Sequence, residues 1–150
     1  MFEKILIANR GEIALRTVRA CREMGIKTVG VYSDVDRSLL HLRFVDQKVS
    51  LGGNLPAETY LNMEKIIKAC ELTKADAVHP GYGFLAENTF FANTLRTHGI
   101  AFIGPGDDVL KKMKNKLLAK KILHEAGVPV VPGSLDIVHS LQEAHDIGKD

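Results

Sequence analysis

The sequence predicts an α/β domain built on a parallel sheet, and three observations carry that prediction. Short apolar runs recur between residues 4 and 104, namely KILIA, KTVGVY, QKVSL, ADAVH and IAFIG, each of strand length. Stretches with apolar or small residues at helical spacing alternate with them. Glycine-containing turns follow the first, fourth and fifth runs. Strands alternating with helices imply parallel neighbours joined by right-handed crossovers. Such sheets bind ligands beyond the carboxyl ends of their strands. The turns at Gly11, at Gly81 and Gly83, and at Gly104 and Gly106 are therefore expected on one rim.

Taken in order, the first strand covers 4–8 and is broken by Asn9-Arg10-Gly11. EIALRTVRACREM then places Ile13, Thr17, Ala20, Cys21 and Met24 on one helical face. Asn9 and Glu12 stand three apart, as in a capping box, and Gly25 supplies the stop. Glu12 and Arg16 form a favourable i,i+4 pair. A second strand covers 27–32, Asp36 caps a short helix over 37–44, and QKVSL is the third strand. After the loop GGNLPAETY, a helix over 61–72 is expected to bury Leu61, Ile66, Ile67 and Ala69. The fourth strand covers 75–79, HPGYGFLAEN follows as a loop, and a helix over 87–98 ends at His98-Gly99. The fifth strand covers 100–104.

Beyond Asp107 the pattern becomes helical, interrupted near Lys114-Asn115, where Asn115 can cap a new helix that Gly127 ends. VPVVPGS reads as one more short strand, and HSLQEAHDIGKD begins a further helix. The domain boundary is expected near 105–115. Residues 1–110 then form the sheet domain, and 111–150 a connector with the incomplete start of a second domain, too short to bury a core of its own.

Bulk properties exclude several classes. The hydrophobic share of 45% and charged share of 25% are those of a soluble globular chain, and a net charge of +2 argues against a nucleic-acid surface. No apolar stretch approaches the ~20 residues that span a bilayer, and the charge-interrupted start is unlike a signal peptide. Cys21 and Cys70 fall in helical patterns without metal-ligand spacing and read as reduced core residues. They suit a reducing compartment, the cytoplasm or an organelle matrix.

Candidate sites remain open at this level. The Arg10-Gly11 turn can meet an anion at a helix N-terminus, yet the G-x-G-x-x-G fingerprint is missing, which weighs against a nicotinamide dinucleotide. Asp34 sits where a ribose-binding acid would stand and is equally a turn residue. In HPGYGFLAEN, Tyr82 can present its ring and hydroxyl to a small molecule, and Glu87 can orient a basic group or sit in the first helical turn. His79 is a strand-end histidine more often than a base. Lysines 111, 112, 114, 116, 120 and 121 form a solvated helical face or include a phosphate contact.

IANRGEIALR at 7–16 together with HPGYGFLAEN at 79–88 closely resembles the biotin carboxylase family, the biotin carboxylase components of acetyl-CoA, propionyl-CoA, pyruvate and related carboxylases. The similarity continues through FIGP at 102–105, the lysine region and AGVPVVPGS at 126–134, nearly the whole chain. It implies a Rossmann-like pre-ATP-grasp domain that does not bind dinucleotides, then a helical connector and the start of an ATP-grasp domain. The implied reaction uses MgATP and bicarbonate, through carboxyphosphate, to carboxylate biotin on a carrier protein, with a carboxyltransferase as further partner. The resemblance matches Lys116 to the family's ATP-contacting lysine and Tyr82 to its biotin-facing tyrosine, with Gly83 and Glu87 beside the pocket. It makes Arg16, Arg19 and Glu23 of the first helix candidate homodimer contacts.

Two departures stand out. The family usually has Gly-Asp before the ATP lysine where this chain reads Lys114-Asn115, so Lys114 competes with Lys116 for the phosphate role. Ala86 replaces a common serine. The resemblance puts the glycine-rich lid, the metal-binding glutamates and the catalytic arginine and lysines beyond Asp150, so no catalytic or metal residue is expected within these residues, and the chain by itself is expected not to turn over ATP. The alternatives are another ligase sharing the same preceding domain, or a stand-alone dimerisation or regulatory module.

Overall fold

Five parallel strands form one sheet in the computed structural model, which describes residues 1–149. They are β1 (Lys4–Ile7), β2 (Lys27–Tyr32), β3 (Gln47–Ser50), β4 (Ala77–His79) and β5 (Ala101–Phe102). Their order is β3-β2-β1-β4-β5, so the chain reverses its direction of travel between β1 and β4. Ile5 of β1 lies beside Thr28 of β2 on one side and Ala77 of β4 on the other. The α/β class and the parallel sheet agree with the alternation in the sequence. The chain divides into two compact units, Met1–Asp107 and a second that begins at Asp108.

In the first unit, strand alternation sends Leu6, Ala8, Val29, Val31 and Val78 to one face of the sheet. There they pack with Ile66, Ile67 and Cys70 of α2 (Met63–Thr73) and with Phe91 and Leu95 of α3 (Thr89–Thr97). Each large side chain so buried contributes about 1.5–3 kcal/mol. The opposite face carries Ile5, Ile7 and Ala77 under α1 (Gly11–Glu23), through Ala14, Val18 and Cys21. The buried stripe of α1 is Ala14, Thr17, Val18 and Cys21, turned by one position from the expected face. Ala20 and Met24 are exposed instead. They line, with Ile13, an apolar groove of about 500 Å³ beside Ile5, Ile26 and Ile103.

Several local expectations are corrected. Arg10, not Asn9, is the N-cap of α1, and no described side chain caps that helix, because the Asn9 oxygen accepts from the Arg10 amide instead. The helix expected over 37–44 is two 3-10 turns, Asp34–Asp36 and Leu40–Arg43. The second turn packs against α1, and its Leu42 lies over Gly30, where a Cβ would stand 3.1 Å from Leu42 and Val45 methyl carbons. That close approach accounts for a glycine inside β2. Leu61 is exposed, since Asn62 is the cap of α2 and accepts from the Lys65 amide at 3.1 Å. Asn88 caps α3 in the same way through the Phe91 amide, which leaves Glu87 ahead of the helix rather than in its first turn.

α4 (Asp107–Lys114) begins at the boundary residue, and the second unit continues with α5 (Lys116–Glu125) and α6 (Leu141–Ile147). Asn115 caps α5 as expected, accepting from the Leu118 amide at 3.0 Å. VPVVPGS forms no strand: it has no partner strand to pair with among the described residues, and its end is tied to α5 by Lys120 Nζ donating to the Ser134 carbonyl at 3.2 Å. No described helix is long and apolar enough to cross a membrane.

His41, in the second 3-10 turn, is 1% exposed. Burial holds its imidazole below the ordinary range; the Val31 backbone and the Asp36 carboxylate offset this only in part, because among the described residues neither ring nitrogen meets a partner at hydrogen-bonding geometry. The folded state thus keeps His41 neutral while the unfolded chain protonates near pH 6.5. Stability is fully present above that pH and declines as pH falls below it toward the lowered folded value. Denaturant midpoints measured at pH 7.5 and 5.5 are expected to fall in the native protein and to fall distinctly less in His41→Leu; an equal fall in both overturns the assignment.

Candidate functional site

The carboxyl ends of β1 and β4 diverge where the strand order reverses, the position at which open α/β sheets hold their ligands. Asn9 fills the gap between the two loops and is 2% exposed. Its Nδ2 donates to the Pro80 carbonyl at 2.8 Å and to the Tyr82 carbonyl at 2.9 Å, while its Oδ1 accepts from the Arg10 amide at 2.9 Å. Both amide protons are thereby used. Gly81 makes this possible: its φ is +68°, and a Cβ there would stand 2.7 Å from Asn9 Nδ2 and from Ile13 Cγ2. His79 closes the turn, its Nδ1 accepting from the Gly81 amide at 3.0 Å, which places the ring proton on Nε2. Burial lowers the His79 pKa and keeps that acceptor free.

Behind the loop, Arg10 Nη1 meets both oxygens of Asp36 at 3.2 and 3.0 Å. Its guanidinium also lies 5.6 Å from the Tyr60 ring centre and 5.9 Å from that of Phe84. Those two rings stack at 5.1 Å. Asp36 accepts further from Ser33 Oγ and Tyr60 Oη, both at 2.7 Å. Burial raises the Asp36 pKa, but the hydrogen bonds from Ser33, Tyr60 and Arg10 outweigh it and hold the carboxyl below its usual range. Burial, with the Asp36 contact, pushes the Tyr60 phenol up to about 12. Phe84 sits at φ 39°, a conformation that costs a non-glycine residue about 1–2 kcal/mol. Stacking on Tyr60 and Arg10 holds it there.

In front, the tip of the loop is open. Tyr82 is 65% exposed and its hydroxyl donates to Glu12 Oε1 at 2.7 Å, joining the loop to the first turn of α1. Gly83, at φ +69°, has nothing within 4 Å of a notional Cβ. Tyr82 and Gly83 are thus presented together. Glu87 is exposed and, among the described residues, has no hydrogen-bond or ion-pair partner, so it does not join this network. Asp34 is occupied by the Gly53 amide at 2.9 Å, a loop tie rather than a ribose contact. Lys116 is the first residue of α5 and Lys114 the last of α4, both exposed. Arg16, Arg19 and Glu23 line one shallow hollow on the outer face of α1. Among the described residues no cluster of three or more metal-ligating side chains occurs.

Sequence reasoning missed the pairing of Arg10 with Asp36 and Tyr60, the Asn9 clamp and the Glu12–Tyr82 bond. The Asn9 bonds and the Glu12–Tyr82 bond join residues at least 70 apart, beyond any local spacing rule. One signal was present: adjacent strands β1 and β4 would bring the two glycine turns together.

Residues 1–110 match the family described as biotin carboxylase, N-terminal domain. The biotin carboxylase of Nostoc sp. is 51% identical over 149 residues, 99% of this chain and 33% of that protein. Among solved structures, a biotin carboxylase complex with β,γ-ATP from Campylobacter jejuni superposes with a TM-score of 0.88 at 44% identity, over 99% of this chain and 33% of the other. The biotin carboxylase domain dimer of the Hydrogenobacter thermophilus 2-oxoglutarate carboxylase, solved with MgADP, ADP and bicarbonate, gives 0.85 at 46% identity over the same shares. The chain therefore spans about a third of the length of these relatives.

The two loop glycines separate the clamp from the tip. Gly81→Ala meets both a left-handed φ and a 2.7 Å clash, and is expected to lower the unfolding free energy by about 3 kcal/mol. Gly83→Ala meets open space and is expected to lose only about 1 kcal/mol. Equal losses in chemical denaturation would contradict the clamp.

Proposed function

Since the chain belongs to the biotin carboxylase N-terminal domain family, we propose that it forms one wall of the biotin site in a larger ATP-dependent ligase. The observation that carries this is the exposed Tyr82-Gly83 tip, held from behind by Asn9 and Arg10 at the reversal point of the sheet. An aromatic face with a hydroxyl at its edge, beside a glycine that leaves room, suits a small bicyclic ring with one polar side. The first turn of α5, with Lys116 at its start, suits a phosphate by offering amide protons and an ammonium together.

The complete protein, on this reading, uses MgATP and bicarbonate to carboxylate biotin on a carrier protein and passes the carboxyl group to a carboxyltransferase partner. ATP supplies the activation of bicarbonate, and the Mg²⁺ ligands lie outside this chain. Lys116 contacts the nucleotide and Tyr82, with Gly83, contacts biotin. Glu87 stays at the rim, since among the described residues none holds its carboxylate. The dimeric assembly of the Hydrogenobacter relative supports a homodimer here, with Arg16, Arg19 and Glu23 as its contact on α1. A reducing compartment fits the two buried free cysteines.

Lys116→Gln in the full-length enzyme is expected to raise the KM for ATP about tenfold, the scale of a lost charged hydrogen bond, and to leave the KM for biotin unchanged. An unaltered ATP KM moves the nucleotide contact to Lys114. For the assembly, Arg19→Glu is expected to shift sedimentation from dimer to monomer; a dimer that persists removes α1 from the interface.

A further inference from the structure

Tyr82 stands between two glycines with left-handed φ values, +68° and +69°, so the loop backbone is not what aims its ring. Asn9 holds the Tyr82 carbonyl, which fixes the base of the side chain. The far end is held by the 2.7 Å hydrogen bond from the phenol to Glu12 Oε1, its one side-chain hydrogen bond among the described residues. Glu12 is well placed for this: it is the second residue of α1, in the first helical turn, where the dipole favours a carboxylate. Glu12 and Tyr82 both line the groove along α1 and the hollow over Gly83, so their bond forms the ridge between the two.

The direction of that bond has a consequence. A phenol carries one proton and two lone pairs, whereas a carboxylate can only accept. We propose that Glu12 is a positioning residue that accepts the hydrogen bond of the Tyr82 hydroxyl and leaves the phenol oxygen only its acceptor lone pairs, so that the ligand group facing it is an N–H donor of the ureido type. A ligand offering only carbonyl oxygen at this point would meet lone pairs. The same hydrogen bond raises the Tyr82 pKa, which keeps the phenol protonated and the polarity constant through the neutral range. The inference rests on the biotin reading and adds to it which partner of the ureido ring the tyrosine meets.

The test uses the full-length enzyme, with free biotin as the probe and the ATP KM as control for folding. Glu12→Ala is expected to raise the KM for biotin about three- to tenfold, the range of one hydrogen bond, with the ATP KM unchanged. Glu12→Gln keeps an accepting carbonyl and is expected to recover most of that loss. Tyr82→Phe is expected to raise the biotin KM to a similar extent, and the double variant Glu12→Ala/Tyr82→Phe to be no worse than Tyr82→Phe alone. A second readout is independent of turnover: in protein carrying ¹³C-labelled tyrosine, the Tyr82 ring carbon is expected to titrate above the ordinary phenol range and to return to it in Glu12→Ala. Effects that multiply in the double variant, or a Tyr82 titration indifferent to Glu12, overturn the positioning role while the biotin reading stands. A native biotin KM in Tyr82→Phe overturns this inference while the ring contact stands, whereas a native biotin KM in Tyr82→Ala overturns the biotin reading and this inference with it.

Discussion

A buried side-chain amide holds the working end of this domain together. Where β1 and β4 part, the carbonyls of Pro80 and Tyr82 leave the sheet without backbone donors, and a buried carbonyl left unpaired costs about 1–3 kcal/mol. Asn9 supplies both donors and, with its own oxygen, receives the Arg10 amide. It thus extends the pairing of the two strands past their last ladder bonds. The residues around it follow from that constraint. Gly81 lacks a side chain because Asn9 and Ile13 fill the space, and α1 goes without a side-chain N-cap because the Asn9 oxygen is turned to the Arg10 amide.

Arg10 stiffens what Asn9 positions. Its charge is matched by Asp36, and its flat guanidinium sits over the stacked Tyr60 and Phe84 rings. The arrangement links the ends of β1 and β2, the segment before α2 and the glycine loop in one contact set. It also offsets the left-handed backbone at Phe84, two residues from the exposed tyrosine. Rigid support behind an open tip is what a binding wall needs, because a loop that must be ordered by its ligand spends binding energy on ordering.

The two faces of the sheet are unequally covered. α2 and α3 bury the larger cluster, whereas α1 with the short turn Leu40–Arg43 covers the other face. The apolar groove that remains beside α1 runs up to Glu12, His79 and Tyr82. α1 therefore has three distinct aspects: a buried stripe, a groove wall and an outer face carrying Arg16, Arg19 and Glu23. Apolar residues of this 13-residue helix line the groove as well as the core, which explains why its apolar spacing points to a face one position away from the truly buried one.

Local chemistry made much of this legible in advance. Apolar runs of strand length, a cap such as Asn115, and the glycine stops act within a few residues, so the α/β class, the parallel sheet and the shared rim of glycine turns follow from spacing alone. The exceptions are local too: VPVVPGS has strand composition, but a strand needs a neighbour that its own residues cannot provide. What tertiary structure alone decided is who meets whom on that rim. Asn9 finds carbonyls 71 and 73 residues away, Tyr82 finds a carboxylate 70 residues away and Arg10 finds Asp36 26 away. No periodicity links such positions. They meet because the strand order puts β2 on one side of β1 and β4 on the other, a choice made by burial of both sheet faces at once rather than by any single segment.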